Sequence, residues 1–94
     1  MDANSEITVE VTVKSPLGLH GRPAAQIVKM VSAHRCQVTL TNLTSGESGD
    51  CSSILSLLVL AAPQGTRMRL HAVGDDASVA TKEISAYFSA GFNE

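Results

Sequence analysis

Residues 7–31 read ITVEVTVKSPLGLHGRPAAQIVKMV, and the fold turns on how their apolar period changes. Ile7, Val9, Val11 and Val13 alternate with Thr8, Glu10, Thr12 and Lys14, which is the pattern of a half-buried strand. Ser15, Pro16, Leu17 and Gly18 break it. Beyond His20, Ala24, Ile27, Val28 and Val31 recur at the spacing of one helix face, which predicts a helix from Gly21 or Arg22 to Ala33. Pro23 suits the first turn of that helix, because its fixed φ matches and its missing N–H would be unpaired there anyway. His20 therefore stands at the junction of strand and helix and belongs to no core stripe.

The rest of the chain extends the alternation. Residues 1–6 are polar and acidic and are read as a loose leader. Cys36, Val38 and Leu40 alternate with polar neighbours as a second strand, and a short third strand is expected near Glu47–Asp50. Ser52 or Ser53 is a candidate N-cap for a helix running through Ala61, which Pro63 and Gly65 end. Met68, Leu70 and Ala72 mark a fourth strand. Gly74-Asp75-Asp76 reads as a turn with an acidic cap, opening a last helix with Ala77, Ala80, Ile84, Tyr87 and Phe88 on its apolar face. The order is β-α-β-β-α-β-α. Strands with one apolar and one polar face predict an α+β open-faced sandwich: a four-stranded, largely antiparallel sheet with three helices on one face.

The chain has 94 residues, enough for a single domain over 1–94. A net charge of −2 and an aromatic content of 3% argue against a nucleic-acid binder, which needs a basic stripe or stacking rings. The longest apolar run, Ile54 to Ala62, is too short to span a bilayer, so no membrane insertion is expected and the cytoplasm is the default location. Cys36 and Cys51 lack metal-binding spacing. They are read as free thiols, with a disulfide as the alternative. Neither a metal cluster nor a cofactor motif is read.

The chemistry concentrates at His20. A helix N-terminus offers free N–H groups and the positive end of the helix dipole, which favour a bound anion. Gly21 and Arg22 would supply those N–H groups, and the Arg22 guanidinium is a planar fork suited to phosphate oxygens. A nucleophilic imidazole beside an anion pocket is equipped to accept and return a phosphoryl group. His34 and His71 lack such neighbours and are read as solvated. Leu57, Leu58 and Leu60 are read as core, with one or more of them available as an exposed docking patch. Leu19 and Leu17 would extend that patch around His20.

Three blocks resemble one family. Gly18-Leu19-His20-Gly21-Arg22-Pro23-Ala24 is similar to the active-site signature of HPr, the histidine-containing phosphocarriers of the phosphoenolpyruvate-dependent sugar phosphotransferase system. Ser53-Ile54-Leu55, followed by Leu60 and Gln64-Gly65, resembles the family's regulatory serine segment. Gly74-Asp75-Asp76-Ala77 resembles the opening of its final helix. The resemblance implies that His20 accepts a phosphoryl group on Nδ1, that Arg22 steadies it, and that Ser53 is a site for an HPr kinase/phosphorylase. It implies enzyme I as donor and IIA domains of sugar permeases as acceptors; the chain is then read as a covalent carrier and not itself a turnover catalyst, with no cofactor and, by default, monomeric. The sequence departs from the pattern at Gly21, where alanine or threonine is usual. It departs again at Ser15 in place of asparagine, at Ser52 in place of lysine before the regulatory serine, and at Ser56 in place of glycine. A regulatory module acting through Ser53 or by docking, and a nitrogen-branch phosphocarrier with the same chemistry, are the alternative functions.

Overall fold

The computed structural model describes residues 5–94. Strand β1 (Glu6–Thr12) leads to helix α1 (Gly21–Ser32) and strands β2 (Gln37–Asn42) and β3 (Ser48–Asp50). Helix α2 (Ile54–Leu58), strand β4 (Arg67–Val73), helix α3 (Ala77–Ser89) and a 3₁₀ turn (Gly91–Asn93) complete the order. The strands lie in the order β1-β4-β2-β3, and every pairing is antiparallel. This is the expected open-faced sandwich.

Register explains the two faces. Val9 pairs with Leu70, which pairs with Leu40; Ile7 pairs with Ala72, which pairs with Val38. These side chains point to the helices, and Ile27, Leu57, Ile84 and Phe88 meet them, all buried. The other face carries Thr8, Glu10, Arg67 and Arg69, all exposed. Glu10 pairs with Arg67 and Glu6 with His71, each diagonally across β1 and β4.

Several expectations change. Of the expected leader, residues 1–4 lie outside the described residues, whereas Glu6 already opens β1 and the Ser5 carbonyl accepts from the Gly74 N–H at 2.9 Å. The α2 helix stops at Leu58 instead of Ala61, because Ala61 takes a left-handed φ of 47° ahead of Pro63. Asp76 stands at the N-cap of α3 without capping it; its carboxylate accepts from the Arg35 N–H at 2.8 Å and ties the start of β2 to α3. His34 is not simply solvated, since its Nε2 lies 3.0 Å from Glu83 and its side chain is only 15% exposed. Both cysteines are free thiols, Cys36 half-buried and Cys51 buried. No helix among the described residues is long and apolar enough to cross a membrane.

Candidate functional site: an imidazole at a helix N-terminus

The loop between β1 and α1 is shaped by hydrogen bonds to its neighbours. The Gly18 N–H donates to the Ser15 carbonyl at 3.0 Å, closing a turn with Pro16 at its second position. Gly18 has φ 71°, and a Cβ there would lie 2.7 Å from the Ala62 carbonyl oxygen. Only glycine meets both conditions without strain. The Leu19 N–H donates to the same Ala62 carbonyl at 2.9 Å, which clamps the loop against the segment after α2.

His20 follows as the N-cap residue of α1, with extended backbone (φ −102°, ψ −169°). Its carbonyl accepts the first helical bond, from Ala24, at 3.0 Å. Its side chain makes no capping bond to the helix. The ring is 34% exposed, so one side faces solvent. Gly21 and Arg22 are exposed in the first turn, where N–H groups have no intrahelical partner, and Pro23 is buried behind them with no N–H to offer. No atom would lie within 4 Å of a Cβ on Gly21, so the space in front of the turn is open. Arg22 forms no ion pair among the described residues, although its charge is felt by both Glu94 and Tyr87. The turn thus brings together an uncapped imidazole, two free N–H donors and an unspent guanidinium.

One further residue reaches the ring. Glu94 Oε2 lies 2.6 Å from His20 Nε2, and its Oε1 accepts from the Ser15 hydroxyl at 2.6 Å. The Ser15 bond, seconded by His20 and Arg22 against some burial, holds the Glu94 carboxyl below the usual carboxylate range. Sequence reading missed Glu94 because a contact across 74 positions leaves no local signal.

The docking residues are corrected in part. Leu19 (5% exposed) and Leu57 (fully buried) are core residues, not surface ones. The clamp on Ala62 turns Leu19 inward, and Leu57 lies on the inner side of α2. Of the three leucines read as core with one or more exposed, Leu58 is the exposed one, together with Leu17, Ile54, Leu55 and Val59 nearby. Between the two candidate serines, Ser53 is the N-cap of α2. Its Oγ accepts from the Ser56 N–H at 3.2 Å, while Ser52 donates to Asp50 instead. Among the described residues, no group of three His, Cys, Asp or Glu side chains is placed to hold a metal ion.

A small α+β sandwich that offers one uncapped histidine beside free N–H groups and an arginine has the design of a protein that carries a group rather than turning over a substrate. The family model for the phosphotransferase-system HPr component phosphorylation site matches residues 7–90. The phosphocarrier protein HPr of Xylella fastidiosa (strain Temecula1) is 38% identical over 85 residues, covering 90% of this chain and 93% of that protein. The phosphocarrier protein NPr of Proteus mirabilis is 34% identical over 84 residues, covering 89% and 92%. The crystal structure of an HPr from Thermoanaerobacter tengcongensis matches with a TM-score of 0.82 at 30% identity, over 96% of this chain and 97% of that one. The chain belongs to the HPr family of phosphocarrier proteins.

Proposed function

We propose that His20 accepts a phosphoryl group on Nδ1 from phospho-enzyme I and passes it to IIA components of sugar permeases. The observation that carries this reading is the first turn of α1. There the uncapped ring of His20 stands beside the open N–H groups of Gly21 and Arg22 and the unpaired Arg22 guanidinium. The Nδ1 lone pair attacks phosphorus as the donor's P–N bond breaks, and the donor nitrogen takes back its electron pair. On delivery the acceptor's nucleophile attacks phosphorus, the P–Nδ1 bond breaks, and its electron pair returns to Nδ1. The protein contributes position and charge to this exchange. Two backbone donors and one exposed arginine hold the phosphate without burying it, which keeps release easy. The exposed apolar side chains of α2 and Leu17 suit brief docking of protein partners.

Ser53 supports a second, regulatory reading. A phosphate on an N-cap oxygen is compatible with the helix it begins, and here it would set negative charge beside exposed Ile54 and Leu55. The 34% identity to an NPr, beside 38% to an HPr, supports a nitrogen-branch role as the alternative to a sugar one. The chemistry at His20 is the same in either branch and only the acceptors differ.

Intact mass after incubation with enzyme I, Mg²⁺ and phosphoenolpyruvate tests the reading. Wild type gains one acid-labile phosphate and His20→Ala gains none. An acid-stable phosphate that appears only with ATP and a kinase, with no uptake from enzyme I, replaces the carrier reading with the regulatory one. The identity of the IIA protein that discharges the carrier assigns the branch.

A further inference from the structure

The loop that carries His20 is shaped from outside. The Val13 N–H donates to the Thr66 carbonyl at 2.9 Å, the Gly65 N–H to the Val13 carbonyl at 2.7 Å, and the Gln64 Nε2 to the Lys14 carbonyl at 3.0 Å. With the Leu19 bond to Ala62, these contacts make residues 62–66 the template on which residues 13–19 lie. The chain enters that template through a strained step. Ala61 takes φ 47°, a left-handed conformation that alanine holds only where its surroundings impose it. Pro63 guards one side, because a proline disfavours helical backbone in the residue before it. Asn42, at the end of β2, guards the other. Its Nδ2 donates to the Leu60 carbonyl at 3.0 Å, and its Oδ1 accepts from the Thr44 and Ser45 N–H groups at 2.9 and 3.2 Å. Asn42 is 5% exposed, so water scarcely competes for these bonds. A carboxylate in its place would keep the two accepted bonds and lose the donated one.

We propose that Asn42 is a positioning residue for His20: its bond to the Leu60 carbonyl latches the left-handed turn at Ala61, and the latched turn sets the Ala62 carbonyl against Gly18 and Leu19. The biological use of this latch rests on the carrier reading above; its effect on the loop does not. Beyond Asn42 the contacts that transmit it are all backbone. Without the donated bond, Ala61 is free to relax to right-handed backbone, which swings the Ala62 carbonyl away from the loop. Leu19 then loses its acceptor, and the extended N-cap conformation of His20 loses the support just before it. Glycine at position 61 would take the left-handed turn without strain and so would not need the latch. The reactive ring is thereby governed from the β2–β3 hairpin, which supplies none of the groups gathered at the site.

A rescue cycle tests this without any protein partner. Asn42→Asp removes the donated bond and keeps the shape. Amide hydrogen exchange follows Leu19, and phosphoramidate, which phosphorylates imidazoles directly, reports the reactivity of His20 against that of His34 and His71. In the Asp variant the Leu19 amide exchanges about three- to tenfold faster, the size of one buried hydrogen bond, and His20 slows about twofold or more relative to the other two histidines. Ala61→Gly alone changes neither readout. Asn42→Asp combined with Ala61→Gly returns both to wild-type values. Mere weakening of the hairpin would speed the Thr44 and Ser45 amides and would not respond to a change at position 61. Where Asn42→Asp alone does not fold, the double variant decides: folded with wild-type reactivity at His20 it supports the latch, and unfolded or slow it overturns the latch. Unchanged Leu19 exchange in a folded Asp variant also overturns the proposal. Wild type that reacts with phosphoramidate but takes nothing from phospho-enzyme I overturns the carrier reading alone, and the rescue cycle still decides the role of Asn42.

Discussion

Two thiols in one small protein have been given different surroundings. Cys36 is half-buried, and burial followed by the charge of Asp76 raises its pKa. Cys51 is fully buried at the end of β3, and burial, then Asp50, push its thiol from 9.0 up to about 12. The thiolate is the reactive form, so Cys51 should resist a disulfide reagent at pH 8 in the native protein and react at once in urea. The sign of the linkage follows. The raised native value means the fold holds the proton longer than the unfolded chain does. The Cys51 contribution is therefore complete below the unfolded thiol value, about 8.5, and is lost as pH rises from there towards the native value near 12. Urea midpoints measured at pH 7 and pH 10 should fall for wild type, and fall less for Cys51→Ala. At this scale the sequence was legible wherever a signal was local. His20, Gly21, Arg22 and Pro23 stand together in the chain and do so in space. Leu19 and Leu57 misled because alternation and helical spacing do not tell which of several adjacent leucines turns inward. Glu94 was silent because its partner lies at the opposite end of the chain.

Among the elements, β3 and α2 approach backbone to backbone. A Cβ on Gly49 would lie 2.5 Å from the Ser56 carbonyl oxygen, so the strand and the helix touch backbone to backbone. Gly49→Ala must drive them apart, and overpacking of this kind costs about 1–3 kcal/mol. Chemical denaturation should register that loss, and hydrogen exchange should place the loosening at β3 and the first turn of α2. The shortness of these two elements explains why reading them was harder. Three residues give too little alternation to define a strand, and the apolar run from Ile54 looks like a longer helix than it is. The stop comes from the left-handed turn at Ala61, a residue type that gives no warning of it. By contrast β1, α1, β4 and α3 run 7 to 13 residues, and their periods define them without help from packing.

The whole molecule depends on β4, which sits inside the sheet with β1 on one side and β2 on the other. Leu70 is fully buried between Val9 and Leu40. Leu70→Ala should cost about 2–5 kcal/mol, read as a lower urea midpoint with an unchanged slope, because the cavity opens where both halves of the sheet meet. The sandwich class was readable from the order of the elements and their polar faces, whereas the strand order was not. Alternation says which face of a strand is buried but not which strand lies beside it, and β4 pairs with partners that precede it by whole elements.

That order also governs how the chain must come into being. On the ribosome β1 and β2 emerge early and share no neighbour until residues 67–73 follow them. For that interval β1 is a ribbon with unmatched backbone donors and acceptors, and β2, paired on one side with the three residues of β3, has its other edge unmatched, so that both are open to pairing with another nascent copy. Thr8, Glu10 and Thr12 on one strand, and Gln37, Thr39 and Thr41 on the other, face solvent or lie only partly covered in the finished sheet. Their second service falls before the sheet exists: they keep one face of each waiting ribbon polar, and so guard the newborn chain against its neighbours until the central strand arrives.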